Sequence, residues 1–269
     1  MKTAAVIGAN GFLGSSVVNC LLEIGVDVYA VHNGRTDNVD GRAKECSVDD
    51  FLKSGVEPDV IFHAAGNYAC THEQLLEIND VLRKISKEKA PSKIVYVSSS
   101  NVYGAHGESS ISEGSAFNNP GLYALSKIAG EFTVAAHDRY AILRLTYLYG
   151  KGITNSSFLP RIVKNAVENK EIVLFGEGER KQDYLHIDDA VKFCIAANLK
   201  GNAVLLGATG ISVSNREVAE IICSLTGAVV TYTGVETGDS FLFNPSATFD
   251  LLGWKPEVDF KEGIKTMLI

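Results

Sequence analysis

Two hydrophobic periods alternate along the first half of the chain. Residues Thr3 to Ile7 form an apolar run of strand length, the pattern of a strand buried on both faces of a parallel sheet. Beyond Gly8-Ala9-Asn10-Gly11-Phe12-Leu13-Gly14, the residues Val17, Val18, Leu21 and Leu22 recur at helical spacing. Val26 to Val31 predicts a second strand and Asp59 to Gly66 a third. A helix is predicted from about Thr71 to Lys89, then a strand over Lys93 to Val97. Asn101 to Leu122 is rich in Gly, Ser, Asn and Pro and reads as loop, followed by a helix over Tyr123 to His137 and a strand over Tyr140 to Leu145.

This β-α repetition defines an α/β class, a doubly wound parallel sheet of the Rossmann kind. Past residue 150 the segments shorten and mix. Helices are expected near Phe158 to Glu168, Asp188 to Asn198 and Ser214 to Leu225, with strands at Ile172 to Phe175 and Val229 to Thr233. The expected organisation is a dinucleotide-binding domain over 1–150. Residues 151–269 are expected to form mainly a small mixed α/β C-terminal substrate lobe, with some segments returning to the main domain.

Composition narrows the function. With 46% hydrophobic and 21% charged residues the chain is of ordinary globular make-up, and its formal net charge of -7 argues against nucleic-acid or anionic-membrane binding. A small-molecule partner is expected instead. The five cysteines Cys20, Cys46, Cys70, Cys194 and Cys223 are scattered, with no zinc spacing and no disulfide framework, and no metal site is expected. Met1-Lys2-Thr3 leads directly into the first strand without a signal-peptide layout, and a cytoplasmic location is expected.

Strand, glycine turn and helix at Gly8, Gly11 and Gly14 point to a dinucleotide, with its pyrophosphate on the helix N-terminus. Asn10, Phe12 and Leu13 share that loop. At the end of the second strand, where a carboxylate would hold the ribose of NAD, the chain has His32, Asn33, Gly34 and Arg35. No carboxylate repels a 2′-phosphate there and Arg35 could bind one, which slightly favours NADP over NAD. Ala64 and Ala65 are small enough for a cofactor to lie against the backbone, and His63 is expected to pack structurally. Ser98, Ser99 and Ser100 fall at the carboxyl end of a strand, the edge where open α/β sheets bind ligands. Tyr123 and Lys127 stand at helical i,i+4 spacing, so the ammonium is expected to lower the phenol's pKa and make it a proton relay.

Taken together, these residues resemble the extended short-chain dehydrogenase/reductase family, in its group of nucleotide-sugar epimerases, 4,6-dehydratases and 4-ketoreductases. The resemblance runs through Gly8 to Gly14, His63 to Ala65, Asn79, Val97 to Gly104, Tyr123 to Lys127 with Glu131, Arg144, Asp183 to Asp189, and Leu252 to Pro256. It implies that Ser99, Tyr123 and Lys127 are catalytic, with hydride passing between cofactor and a sugar carbon while Tyr123 moves the hydroxyl proton. It implies further that Asn79 and Ser98 line the cofactor, that Ser100, Asn101, Tyr147, Arg180 and Lys181 lie toward the substrate, and that the protein pairs as a homodimer.

Departures from the family pattern limit the reaction. Dehydratases of the group carry an Asp-Glu pair where this chain has Ser100 and Asn101, and a diphosphate-binding Arg stands where this chain has Gln182. The expected activity is therefore an NAD(P)-dependent oxidoreductase of a nucleotide sugar, a 4-ketoreductase or 4-epimerase of an NDP-hexose, ahead of a 4,6-dehydratase. The alternative is a non-catalytic, redox-sensing dinucleotide-binding protein of the same fold.

Overall fold

The computed structural model describes residues 1–107 and 109–268, and the chain divides into two units. One comprises Met1–Gly104, Phe117–Leu145 and Ala190–Gly207; the other comprises Ala105–Ala116, Thr146–Asp189 and the chain from Ala208 onward. In chain order the elements begin β1 (Thr3–Ile7), α1 (Phe12–Glu23), β2 (Asp27–His32), β3 (Lys44–Ser47), α2 (Val48–Lys53), β4 (Val60–His63), α3 (His72–Glu88) and β5 (Lys93–Ser99). A 3-10 turn (Ser100–Tyr103), β6 (Ser110–Ile111), α4 (Leu122–Ala135), β7 (Tyr140–Leu145) and β8 (Tyr147–Tyr149) follow. The rest is α5 (Phe158–Glu168), β9 (Glu171–Phe175), β10 (Lys181–His186), α6 (Ile187–Asn198), β11 (Ala203–Gly207), β12 (Ser212–Ser214), α7 (Asn215–Thr226), β13 (Val229–Thr233), β14 (Leu242–Phe243), α8 (Ser246–Leu252) and α9 (Phe260–Thr266).

The first unit is built on a seven-stranded sheet in the order β11-β7-β5-β4-β1-β2-β3, and every pairing is parallel. The fold is the doubly wound one its strand pattern predicts. Apolar strands suit it because both faces are covered: on one face Ala5, Ile7, Val31 and Ile61 pack with Phe51 and Ile85, and beside them Ile94, Tyr96 and Ile142 with Leu82 and Val134, while the alternate residues Val6, Phe62 and Val95 are fully buried on the other. Chain order reverses around β1, which lies between β2 and β4, so the glycine loop after β1 opens at the topological switch point. Two of its strands were not apparent from periodicity. β3 is a half-exposed edge strand with no apolar run, and β11 joins the opposite edge from late in the chain.

A buried polar cluster locks α4 onto the sheet. Arg144 on β7 donates from Nε and Nη2 to the Glu131 carboxylate on α4 at 2.9 and 2.7 Å, and Ser98 on β5 donates to the same carboxylate at 2.5 Å. Glu131 and Arg144 are each 6% exposed. The guanidinium also donates to the Tyr103 hydroxyl at 3.2 Å and lies 5.0 Å from the Tyr103 and Phe117 ring centres.

The second unit has a three-stranded sheet, β12-β10-β8, and two parallel pairs, β13-β9 and β14-β6. Asp183 on β10 is its polar anchor, accepting from the Thr146 hydroxyl and from the backbone N–H groups of Thr209 and Gly210. The unit's apolar core includes Tyr149, Leu159, Ile162, Leu174, Val218 and Ile222. Among the described residues no helix is long and apolar enough to cross a membrane.

Glu131→Ala removes one half of a buried ion pair and leaves the Arg144 charge uncompensated. It should lower the unfolding free energy by about 3–5 kcal/mol, read from urea denaturation followed by circular dichroism.

Candidate active site

Helix ends mark where this unit is open to a ligand. α2 and α3 begin with side-chain caps, Ser47 and Thr71, but α1 and α4 begin at Gly11 and Gly121 with no side-chain cap and no acidic residue in the first turn. Their first backbone N–H groups are left for an external acceptor. The turn into α1 is closed by contacts only glycine permits: a Cβ on Gly14 would lie 2.1 Å from the Gly8 carbonyl oxygen, and one on Gly8, at φ +84°, would lie 2.9 Å from the Ala65 backbone. Gly8 and Ala9 N–H both donate to Val31 O, setting the loop across the end of β2. This glycine cradle at an uncapped helix N-terminus fits a pyrophosphate.

Asn10 ties that loop to the segment after β2, accepting from Asn38 N–H at 2.8 Å. His32 Nδ1 accepts from Gly34 N–H. The Arg35 guanidinium is paired with Asp37 at 2.9 Å, and both side chains are largely exposed, so the pair is a weak one. Asn79, expected to line the cofactor, donates from its amide nitrogen to Ser126 O and Ser126 Oγ at 3.1 and 3.0 Å, fastening α3 to α4. His63 is fully buried on β4 with neither ring nitrogen partnered, its pKa lowered to about 3 by burial, and its ring lies 5.6 Å from Tyr96.

Ser99, Tyr123 and Lys127 meet at the carboxyl end of β5. Ser99, itself buried, accepts from Asn101 N–H at 3.2 Å and interacts through its hydroxyl with the Tyr123 phenol. Lys127, one turn along α4 from Tyr123, donates from Nζ to Ala65 O at 3.1 Å and Val97 O at 3.0 Å. Two of its three N–H donors are thereby committed. Nζ lies 5.7 Å from the centre of the Tyr123 ring and 5.3 Å from that of Tyr96.

The electrostatics depart from the spacing argument. Burial pushes the Tyr123 phenol up to about 12, outweighing the Ser99 interaction that favours the phenolate. Burial likewise brings Lys127 down to about 8. The expected net lowering of the phenol is therefore corrected: in the cofactor-free protein burial outweighs what a cation 5.7 Å from the ring contributes, and Tyr123 keeps its proton. Periodicity also missed two neighbours from the loop after β4. Tyr68 packs its ring 5.4 Å from that of Tyr123, and the Cys70 thiol lies near both Tyr123 and Lys127.

Of the residues expected toward the substrate, Ser100 and Asn101 lie in the first unit, in the turn after Ser99. Tyr147 and Arg180 lie in the second, where they line a cavity of about 140 Å³ together with Ser157, Phe158, Gln182, Tyr184 and Asn215. Lys181 does not line it; it is exposed at the start of β10, on the face opposite to Gln182 that also carries Asp183. Asn215 could have been located from sequence, since the Ser214-x-x-Glu217 capping box starts α7 there.

A doubly wound sheet with a glycine cradle at its switch point, and a serine, tyrosine and lysine converging at one strand end, is the architecture of an extended short-chain dehydrogenase/reductase. The chain belongs to the NAD-dependent epimerase/dehydratase family, whose sequence profile matches residues 4–207. A Methanocaldococcus jannaschii protein that carries a provisional UDP-glucose 4-epimerase name is 28% identical over 98% of this chain and 96% of its own length. The UDP-glucose 4-epimerase of Mycolicibacterium smegmatis is 25% identical over 96% and 95%. Among solved structures, the Thermotoga maritima UDP-glucose 4-epimerase with UDP-glucose superposes with a TM-score of 0.87 at 24% identity, covering 99% of this chain and 97% of its own. MoeE5 in complex with UDP-glucose and NAD gives 0.87 at 23% identity with the same coverage.

In the cofactor-free protein, Lys127 should titrate near 8, losing its charge as pH rises through that value while exposed lysines stay protonated. Lysine Cε chemical shifts followed by heteronuclear NMR, with Lys127→Arg for assignment, measure it.

Proposed function

We propose that the chain is an oxidoreductase of a nucleotide sugar, acting at a sugar carbon as a 4-ketoreductase or 4-epimerase of an NDP-hexose, with ketone reduction the favoured direction. In this reading the first unit binds the dinucleotide and the second the substrate. The observation that supports it best is the meeting of Ser99, Tyr123 and Lys127 with Ser100 and Asn101, rather than an Asp-Glu pair, following Ser99. Eliminating water from a sugar calls for an acid and a base, and two neutral side chains supply neither.

When bound, the nicotinamide supplies or accepts the hydride. The chain's own residues handle the proton. Tyr123, protonated up to about 12, donates to the oxygen of the sugar ketone as it gains charge. Ser99 hydrogen-bonds the same oxygen from the strand end, and the Lys127 ammonium stands close enough to stabilise the phenolate left behind. Gly8 to Gly14 and the uncapped start of α1 would hold the pyrophosphate. Arg35, whose exposed pair with Asp37 is a weak one, would meet a 2′-phosphate at the end of β2, so NADP stays slightly favoured over NAD. A non-catalytic role finds no support in a chain that retains all three residues in one place.

Tyr123→Phe should bind NADH and NADPH as tightly as the unaltered protein in calorimetry, while turnover of a UDP-4-keto-hexose falls by roughly 10²–10⁴-fold. Full activity in that variant would refute the mechanism.

The homodimer is proposed on the face shared by α3 and α4, where Leu76, Leu125 and Phe132, the last 72% exposed, leave apolar surface uncovered. Phe132→Glu should shift the sedimentation-equilibrium mass from dimer to monomer.

A further inference from the structure

The turn between β4 and α3 carries an exposed ring to the candidate proton donor, and both ends of that turn are fixed. Ala65 O accepts from Lys127 Nζ, and Gly66, at φ +90°, runs so close to the same cation that a Cβ there would lie 3.6 Å from Nζ. Asn67 closes the next residues, its side chain accepting from Ala69 N–H at 2.8 Å and its carbonyl from Cys70 N–H at 3.2 Å. Thr71 then caps α3 in a reciprocal box with Gln74. The turn so held puts the Tyr68 ring 5.4 Å from the Tyr123 ring, tilted by 57°, while Tyr68 stays 77% exposed. At that exposure Tyr68 adds little to the core, and the ring it does cover is that of Tyr123.

Tyr123 stands in the first turn of α4, where Gly121 and Leu122 before it are exposed. Several groups face its phenol. From α4 comes Lys127, with Nζ 5.7 Å from the ring centre. From β5 come the Ser99 hydroxyl and the Tyr96 phenol, and from the turn after β4 the Cys70 thiol. These bring charge or hydrogen-bonding atoms, whereas Tyr68 brings an aromatic ring. A phenol kept from water on one side gives up its proton less readily, because the phenolate loses more by desolvation than the neutral form does.

We propose that Tyr68 is a positioning residue for the reaction: its ring, set by the turn after β4, shields one side of the Tyr123 phenol from water and so holds the proton there until a substrate oxygen takes it. Since Tyr68 is itself largely exposed, the shield is partial and its removal has a correspondingly partial effect. The proposal rests on reading Tyr123 as the proton donor, but its test needs no turnover. Full activity of Tyr123→Phe would sink that reading and leave the shielding to be measured as before.

Fluorine NMR of the cofactor-free full chain labelled with 3-fluorotyrosine, whose phenol ionises at lower pH than that of tyrosine, follows Tyr123 through its titration, with Tyr123→Phe for assignment. In Tyr68→Ala the Tyr123 titration should move down by roughly half to one pH unit, and in Tyr68→Phe, which keeps the ring, it should stay where it is in the unaltered protein. Position 68 is exposed, so both variants should fold. The proposal is overturned if Tyr68→Ala leaves the titration unmoved, as a ring that served only to line the substrate would. It is equally overturned if Tyr68→Phe moves the titration as far as Tyr68→Ala does.

Discussion

The ion pair between Glu131 and Arg144 is the constraint on which the candidate site depends. Two charges removed from water are tolerated only when each is fully met, and here the carboxylate receives two guanidinium donors and the Ser98 hydroxyl. Its partners come from three elements: α4 carries Glu131, β7 carries Arg144 and β5 carries Ser98. Ser98 precedes Ser99 on the strand, and Lys127 stands one turn before Glu131 on the helix. The pair therefore fixes the distance between the hydroxyl at the strand end and the helix that presents Tyr123 and Lys127.

Burial around that pair has opposite effects on the two titrating groups. It favours the neutral form of each, which raises an acid and lowers a base, so the phenol keeps its proton and the ammonium is loosened. Ala65 and Val97 carbonyls hold Lys127 by hydrogen bonds that only its N–H groups can make, and so place the cation beside the tyrosine at little desolvated distance. A positioned donor with a nearby cation suits an oxygen that becomes negative. The same arrangement suits proton removal from an alcohol less well, because the phenol must first ionise.

Much of the fold was legible because buried parallel strands leave continuous apolar runs, as at Thr3 to Ile7 and Lys93 to Val97, and because glycines punctuate where the backbone must turn or approach closely. β3 was not legible, since Lys44-Glu45-Cys46-Ser47 is a half-exposed edge whose only requirement is backbone pairing to β2. Tyr123 and Lys127 were legible from spacing, and Ser99 among the three strand-end serines from the family resemblance. The direction of the tyrosine's shift was not, because spacing reports that a cation is near and says nothing about how deeply both groups are buried. Asp37 on Arg35 was missed for a related reason: an i,i+2 surface pair has no periodic signature. Asn79 kept its expected place on α3 but spends its amide nitrogen on Ser126.

In the second unit, strand alternation puts Lys181 on the face of β10 that carries Asp183, and Gln182 on the face that carries Tyr184. Arg180 enters from the preceding turn, with Nε and its backbone N–H already committed. Binding at the start of α1, where uncapped backbone N–H groups would face a charged ligand, would carry a salt dependence.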